Sequence, residues 1–356
     1  GLRQAQRNLD AELARQILPD GGHVSRSPAA LPELLALLLP LRQSITRLGQ
    51  APSTELMSAI DRMIPALRFF SHADGSLARF NGMGPTPFDL VATVLRYDES
   101  MGVLPRELPL SGYHRMQAGG VTLIMDAGKP PGGELSARAH AGTLAFELSG
   151  PDGCIFVNCG APPGREGEAA KAGRATAAHS TATIDDTSSS RFAGDGVMAR
   201  LLEGRIVQAP QQVQASAGET ASALIIEASH DGYARSFGLV HERRLRLATP
   251  AQGLRGRDWF TRAGKSMGDH KVAIRFHLHP SLSAEIDEEG RVILFRNAIA
   301  AWLFICDEVT AVLEEGVFFA ASDGARRSRQ IVLHFDTADH ITVSWHLHRI
   351  PSDPAA

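Results

Sequence analysis

The chain has 356 residues, 36 basic and 39 acidic side chains, a formal net charge of -3 and three cysteines. That length exceeds one ordinary domain and predicts two, while the near-neutral balance excludes a nucleic-acid binder that depends on a broad basic surface. Cys154, Cys159 and Cys306 cannot all pair within one chain and match no zinc-ribbon or thioredoxin spacing, so neither a disulfide scaffold nor a thiolate metal site holds the fold.

The sequence opens at Gly1 on charged, amphipathic residues instead of an apolar leader, as a mature form or a fragment would. Leu2 to Leu18 carries Leu9, Leu13, Ile17 and Leu18 at helical spacing and stops at Pro19-Asp20-Gly21-Gly22. Ser27-Pro28 supplies a cap and a first-turn proline for a second helix with Leu31, Leu34, Leu35, Leu38 and Leu39 on its apolar face. Its leucine run, broken by Pro32, Glu33 and Pro40, is too short to span a bilayer. A third helix starts near Ser53, runs through Leu67 and is expected to kink at Pro65; a fourth covers Pro87 to Leu95.

From about Ser111 the texture changes to short β-prone runs separated by Gly, Asp and Pro. Examples are Gly120 to Met125, Thr143 to Leu148, Cys154 to Val157, Thr181 to Ile184, Ala223 to Glu227, Lys271 to His277, Arg291 to Phe295, Ala301 to Cys306, Gln330 to Phe335 and Ile341 to His348. Many short strands without intervening helices predict an antiparallel sandwich. Ala161 to Ala178, rich in Gly, Ala and charge, reads as a mobile surface loop.

No GxSxG elbow, P-loop, HExxH or dinucleotide glycine fingerprint occurs. What remains is His and Arg in loops. Only Lys129, Lys171, Lys265 and Lys271 are lysines; the arginine bias suits a carboxylate or sulfate ligand, and it equally suits a GC-rich genome. In Asp20-Gly21-Gly22-His23-Val24-Ser25-Arg26-Ser27-Pro28, His23 has the chemistry of a proton-transfer base and Arg26 that of a carboxylate partner; a capped helix-to-helix turn is the plainer alternative. His72, near Asp74, is either an oriented acid or base or a cation at a helix C-terminus. His140, Asn158 and His179 come from successive strand ends and could converge on a divalent ion, although Asn158 is a poor zinc ligand. Asp231-Gly232 reads as a hairpin turn that sets Tyr233 and His241 on adjacent strands, and His277-x-His279 and His346-x-His348 each lie on one strand face.

In order along the chain, these segments resemble the heparinase II/III family of polysaccharide lyases. The carrying residues are Leu18 through Pro28, Ala139-His140-Ala141-Gly142-Thr143-Leu144-Ala145-Phe146-Glu147-Leu148, Val157-Asn158-Cys159-Gly160, Arg174 through Thr181, and His230-Asp231-Gly232-Tyr233 through His241-Glu242-Arg243-Arg244. The resemblance implies an α+β multidomain chain: residues 1–105 as the C-terminal part of an (α/α) toroid, and residues 106–356 as a large antiparallel β-sandwich. It implies β-elimination on an acidic, uronic-acid-containing polysaccharide, with His23 as base, Arg26 and Arg138 neutralising the uronate carboxylate, and His72 as proton donor. Arg174 and Tyr233 would bind substrate, and a structural zinc or other divalent ion would fall on His140, Asn158 and His179. Residence in the periplasm or cell envelope follows by the same resemblance, with the cytoplasm as the alternative.

The chain also departs from that family. The metal motif typically reads His-x-His-x-Asp, whereas here it is Arg138-x-His140-x-Gly142; Asn158 replaces an aspartate, and Ala29-Ala30 stand where active relatives often carry tyrosine. A catalytically silent carbohydrate-binding or cell-envelope protein that keeps the lyase fold is therefore the competing expectation.

Overall fold

The computed structural model describes residues 2–98, 104–164, 167–194, 202, 204–250, 253–264 and 268–351. Four helices lead the chain: α1 (Leu2–Gln16), α2 (Ala30–Arg47), α3 (Thr54–Phe69) and α4 (Phe88–Leu95). Ser53 caps α3, its hydroxyl accepting from the Leu56 N–H at 3.2 Å. Pro65 is contained within α3. Ser27 and Pro28 do not cap α2; they form the turn that leads into it, and the helix starts at Ala30 without a side-chain cap.

Strands follow in three sheets. The largest has nine: β1 (Glu107–Leu108), β2 (Tyr113–Ala118), β3 (Val121–Asp126), β4 (Phe146–Gly150), β5 (Gly153–Val157), β13 (Lys271–Leu278), β18 (Arg326–Asp336) and β17 (Ala311–Phe318) in that order, with β6 (Ala182–Ile184) also paired to β13. The second has eight, in the order β14 (Leu282–Ile286), β15 (Val292–Arg296), β16 (Ile299–Cys306), β19 (Thr342–Arg349), β12 (Gly253–Arg262), β11 (Leu239–Ala248), β10 (Ala223–His230) and β9 (Val213–Thr220). A two-stranded ribbon joins β7 (Arg191–Phe192) to β8 (Ile206–Gln208).

The two large sheets close on one apolar core, in which Phe146, Phe156, Phe276, Phe304 and Trp345 pack ring against ring. A second core lies on the other side of the nine-stranded sheet, where α1 to α4 bury Leu35, Ile60, Met63 and Phe69 against Tyr113, Ile124 and Ala145. The molecule is thus three layers: helices, nine-stranded sheet, eight-stranded sheet. Period-two alternation decides what each side receives. On β3 and β4, Leu123, Met125, Phe146 and Leu148 enter the sandwich core, while Ile124 faces the helices. Asp126 and Glu147 meet residues of the helical layer as well, so two buried carboxylates stand at the helix–sheet interface.

Residues 161–178 are not a plain loop. Helix α5 (Glu168–Arg174) and a 3-10 turn (Thr176–Ala178) occupy most of the segment, with residues 165–166 outside the described residues. Nor is Asp231-Gly232 a simple hairpin: His230 and His241 are cross-strand partners, and the connection holds a helical turn, Ala234–Phe237, for which Tyr233 is the N-cap.

Candidate functional site at the helix–sheet interface

Arg26 lies in the turn after α1 with a φ of 58°, and its guanidinium points under the sheet. It meets Asp126 at 2.5 Å and donates to the carbonyls of Ser111 at 2.7 Å and Lys129 at 3.0 Å. At Gly128 an added Cβ would stand 2.5 Å from this guanidinium, so the close approach requires glycine there. The Tyr113 hydroxyl donates to the Arg26 carbonyl at 2.7 Å and accepts from the Asn81 amide at 2.8 Å, and Asn81 Oδ1 accepts from the His140 N–H at 3.1 Å. Burial opposes ionisation of Asp126 and raises its pKa, with Arg26 pulling the other way; burial also pushes the Tyr113 phenol up. The guanidinium expected to meet a uronate therefore meets a protein carboxylate and four protein carbonyls.

A second buried chain starts from His72. Its Nε2 meets Glu147 at 3.0 Å and its Nδ1 meets Ser149 at 2.9 Å, while Arg79 donates to the same Glu147 oxygen at 3.1 Å. The other Glu147 oxygen accepts from the Asn158 N–H at 2.8 Å. Burial opposes ionisation of Glu147, but Arg79 and His72 outweigh it and hold the carboxyl below its ordinary range. Arg79 also stacks over Phe318 at 5.0 Å. His72 is thus tied to a sheet carboxylate rather than to Asp74, which accepts from Ser76.

The first chain ends on His140, which bonds His179, and the second on Asn158; all three are buried. His179 Nδ1 donates to the Ala175 carbonyl at 2.8 Å, which leaves Nε2 as the acceptor for His140 Nδ1–H at 3.0 Å. Burial, then His179 and Arg174, pushes His140 well below the usual imidazole range, and burial takes His179 to about 4. Asn158 Oδ1 accepts from the Ser180 N–H at 3.0 Å, and its amide nitrogen is buried without a partner. This donor set fits a divalent ion poorly. It offers two neutral imidazoles already bonded to each other and an amide whose oxygen is engaged, with no anionic ligand. Among the described residues no group of three or more His, Cys, Asp or Glu side chains could hold a metal. Gly142, where the resemblance expects an aspartate, leaves room for the His179 ring: an added Cβ would stand 2.8 Å from His179 Cδ2.

The other candidates scatter. His23 bonds Ser25 at 2.7 Å within its own turn, and burial lowers its pKa. Arg138 is exposed two residues before His140. Arg174 cross-links Ala139, Ser136 and Gly204 through their carbonyls and lies over Phe192 at 4.4 Å, its pKa pushed down to about 10 by burial. Tyr233 is fully buried and donates to the Ala182 carbonyl at 2.7 Å, so burial raises its pKa. His277 is buried against the Ala177 carbonyl, and His279 bonds Ser281 beyond the end of β13.

Asp126, Asn81, Arg79 and Glu147 had no role in the sequence-derived site. The available signal was weak: an acid flanked by Phe146 and Leu148 in a buried strand implies a hidden partner, but alternation does not name it. A third polar cluster lies inside the sandwich; His241 and Arg243 belong to a segment that carries the resemblance, but Asp258, which joins them, was unmarked. Asp258 accepts from His241 and Arg243 at 2.7 Å and from Trp345 at 3.0 Å, and Arg243 reaches the Leu144 and Ser180 carbonyls. Burial opposes the Asp258 charge, yet Arg243 and His241 hold its pKa far down.

Helices on a nine-stranded sheet, backed by an eight-stranded one, define a lyase-type sandwich with a helical flank. A family profile described as heparinase II/III-like, C-terminal, matches residues 101–346, and the chain belongs to that family. It is 35% identical over 343 residues to FtsZ-localized protein C of Caulobacter vibrioides, covering 92% of this chain and 58% of that protein. Among solved structures, a mutant of heparan sulfate lyase HepC from Pedobacter heparinus superposes over 98% of this chain and 56% of that one, with a TM-score of 0.75 and 17% identity. A heparinase III superposes over 97% and 56%, with a TM-score of 0.68 and 14% identity. The chain therefore spans little more than half the length of these relatives, and the structural likeness establishes the fold. Among the described residues no helix is long and apolar enough to cross a membrane.

Proposed function

We propose that this chain is a binding protein that keeps the lyase fold without elimination chemistry and acts at the cell-division apparatus. The observation that carries this reading is the closed hydrogen bonding of the interface. Arg26 is neutralised by Asp126, His72 is hydrogen-bonded to Glu147, and His140 and His179 bond each other. Tyr113 and Tyr233 donate to backbone carbonyls deep in the fold. β-Elimination needs a free base within reach of the sugar C–H and a cation free to meet the uronate. Of the expected residues Arg138 alone is exposed. The division role rests on the similarity to a protein named for its localisation with FtsZ. Three free cysteines, two of them buried, favour a reducing compartment over the periplasm.

The lyase reading keeps two supports, the family profile over residues 101–346 and the superposition on a heparan sulfate lyase over nearly the whole chain; it requires His23 to leave Ser25 and act as the base. We also propose that residues 1–105 form the C-terminal end of a toroid, since α1 to α4 share one core on the outer side of the nine-stranded sheet. A fluorescent fusion tests the main reading: it should form a band at the division site that disperses when FtsZ is depleted. A diffuse signal, or a band that survives depletion, would contradict it.

A further inference from the structure

The outer face of the eight-stranded sheet carries an unusual concentration of positive charge. On β12, Arg255, Arg257 and Trp259 alternate with core residues and point away from the sandwich; on β11, Arg244 and Arg246 do the same. The register sets Arg246 directly opposite Arg255, and Arg244 opposite Arg257. His346 of β19 completes the first row beside Arg255.

Like charges directly opposite each other on a sheet are destabilising, so this arrangement is maintained against the stability of the sandwich. Among the described residues the nearby acids pair with one of the four arginines, Arg244. Glu227 pairs with Arg244 at 3.0 Å, Glu242 bonds Thr261 one row away, and Glu308 accepts from the Ser344 N–H. Among the described residues Arg246 bonds the Ser222 hydroxyl and has no ion pair. Among the described residues Arg255 and Arg257 have no ion pair, and both are exposed, Arg257 lying 5.7 Å from the Trp259 ring. The backbone beneath them is pinned: a Cβ on Gly256 would stand 2.0 Å from the Trp345 ring, so β12 lies directly on the core.

We infer that this face binds an extended, carboxylate-rich peptide segment of a protein partner. Along one strand the arginines recur every second residue, roughly 7 Å apart, and across the pair they stand about 5 Å apart. An extended peptide with acids at alternate positions repeats at that same strand spacing, so each carboxylate meets a guanidinium fork while Trp259 offers a flat apolar end to the row.

This inference rests on the reading of the chain as a binding protein, but its test is separate from localisation. A fluorescein-labelled peptide alternating Glu with Ser over ten residues is titrated with the full chain by anisotropy, alongside its Gln counterpart. The Glu peptide should bind at least tenfold more tightly than the Gln peptide, and R255E/R257E should lose at least tenfold in affinity while keeping the circular dichroism spectrum of the parent and a melting temperature no lower than the parent's. No binding, equal binding of the Gln peptide, or unchanged binding by R255E/R257E would overturn the inference. Tighter binding of phosphatidylglycerol vesicles or of a heparin tetrasaccharide than of the Glu peptide would overturn the choice of a peptide and assign the face to a lipid surface or an acidic sugar.

Discussion

Arginine plays opposite parts on the two sides of this molecule. At the helix–sheet interface and inside the sandwich, Arg26, Arg79 and Arg243 each face a buried carboxylate, Asp126, Glu147 and Asp258. On the outer sheet, Arg244, Arg246, Arg255 and Arg257 face one another, and among the described residues Glu227 is the one acid paired with them, through Arg244. Charge taken out of water needs a counter-charge or a full set of hydrogen-bond acceptors, whereas charge left in water can remain unmatched at small cost. Inner arginines therefore belong to stability and outer ones are available to a ligand, which inverts the assignment that the family resemblance suggested for Arg26.

The largest effects should come from breaking the inner pairs. Asp258→Asn leaves Arg243 charged and uncompensated in the core, and Glu147→Gln does the same to Arg79; each should cost about 3–5 kcal/mol in urea unfolding, because a single buried charge is stranded. Acidification probes the same interior without mutation. Burial holds His277 neutral down to about 3, so between the ordinary imidazole value and that point the unfolded chain binds a proton that the folded chain does not. Stability is then full above about pH 6.5 and falls with pH, by about 3 kcal/mol at pH 4 from this group. Glu147 and Asp258, both held low, contribute in the same direction: their stabilisation is present at neutral pH and is lost as pH falls through their folded values. Urea midpoints at pH 7 and pH 4 measure the sum. The smallest effect belongs to the outer face and has the opposite sign: Arg255→Gln removes a repulsion and should raise stability by about 0.2–1 kcal/mol.

Much of this was legible in the sequence. Pro19-Asp20-Gly21-Gly22 ended a helix as composition requires, and leucine spacing identified the face of α2 that buries Leu31, Leu35, Leu38 and Leu39. Glycine-punctuated runs located most of the sandwich. Tyr113–Ala118, Val213–Thr220, Leu282–Ile286 and Ala311–Phe318 escaped notice, and so did most of Leu239–Ala248 and all of Gly253–Arg262, where Arg243 and Asp258 occupy core positions alongside Leu245 and Phe260 and hide the period-two pattern. The site was legible only as a set of residue types. His140 and His179 bond each other and Asn158 bonds the Ser180 N–H, but which nitrogen is occupied, and by what, depends on Ala175, Ser180 and Gly142, whose roles are set by backbone position and not by residue type. Arg26 read as a ligand cation because its carboxylate lies 100 residues away on a different layer.

The claim that the interface is structural and not catalytic is tested most directly by incubating the full chain with heparin, heparan sulfate, alginate and hyaluronate and following the ultraviolet absorbance of an unsaturated uronate. A flat trace with every polymer is expected, together with a His140→Ala variant that changes melting but no turnover. A rising absorbance that disappears in His140→Ala would contradict the account and restore the lyase.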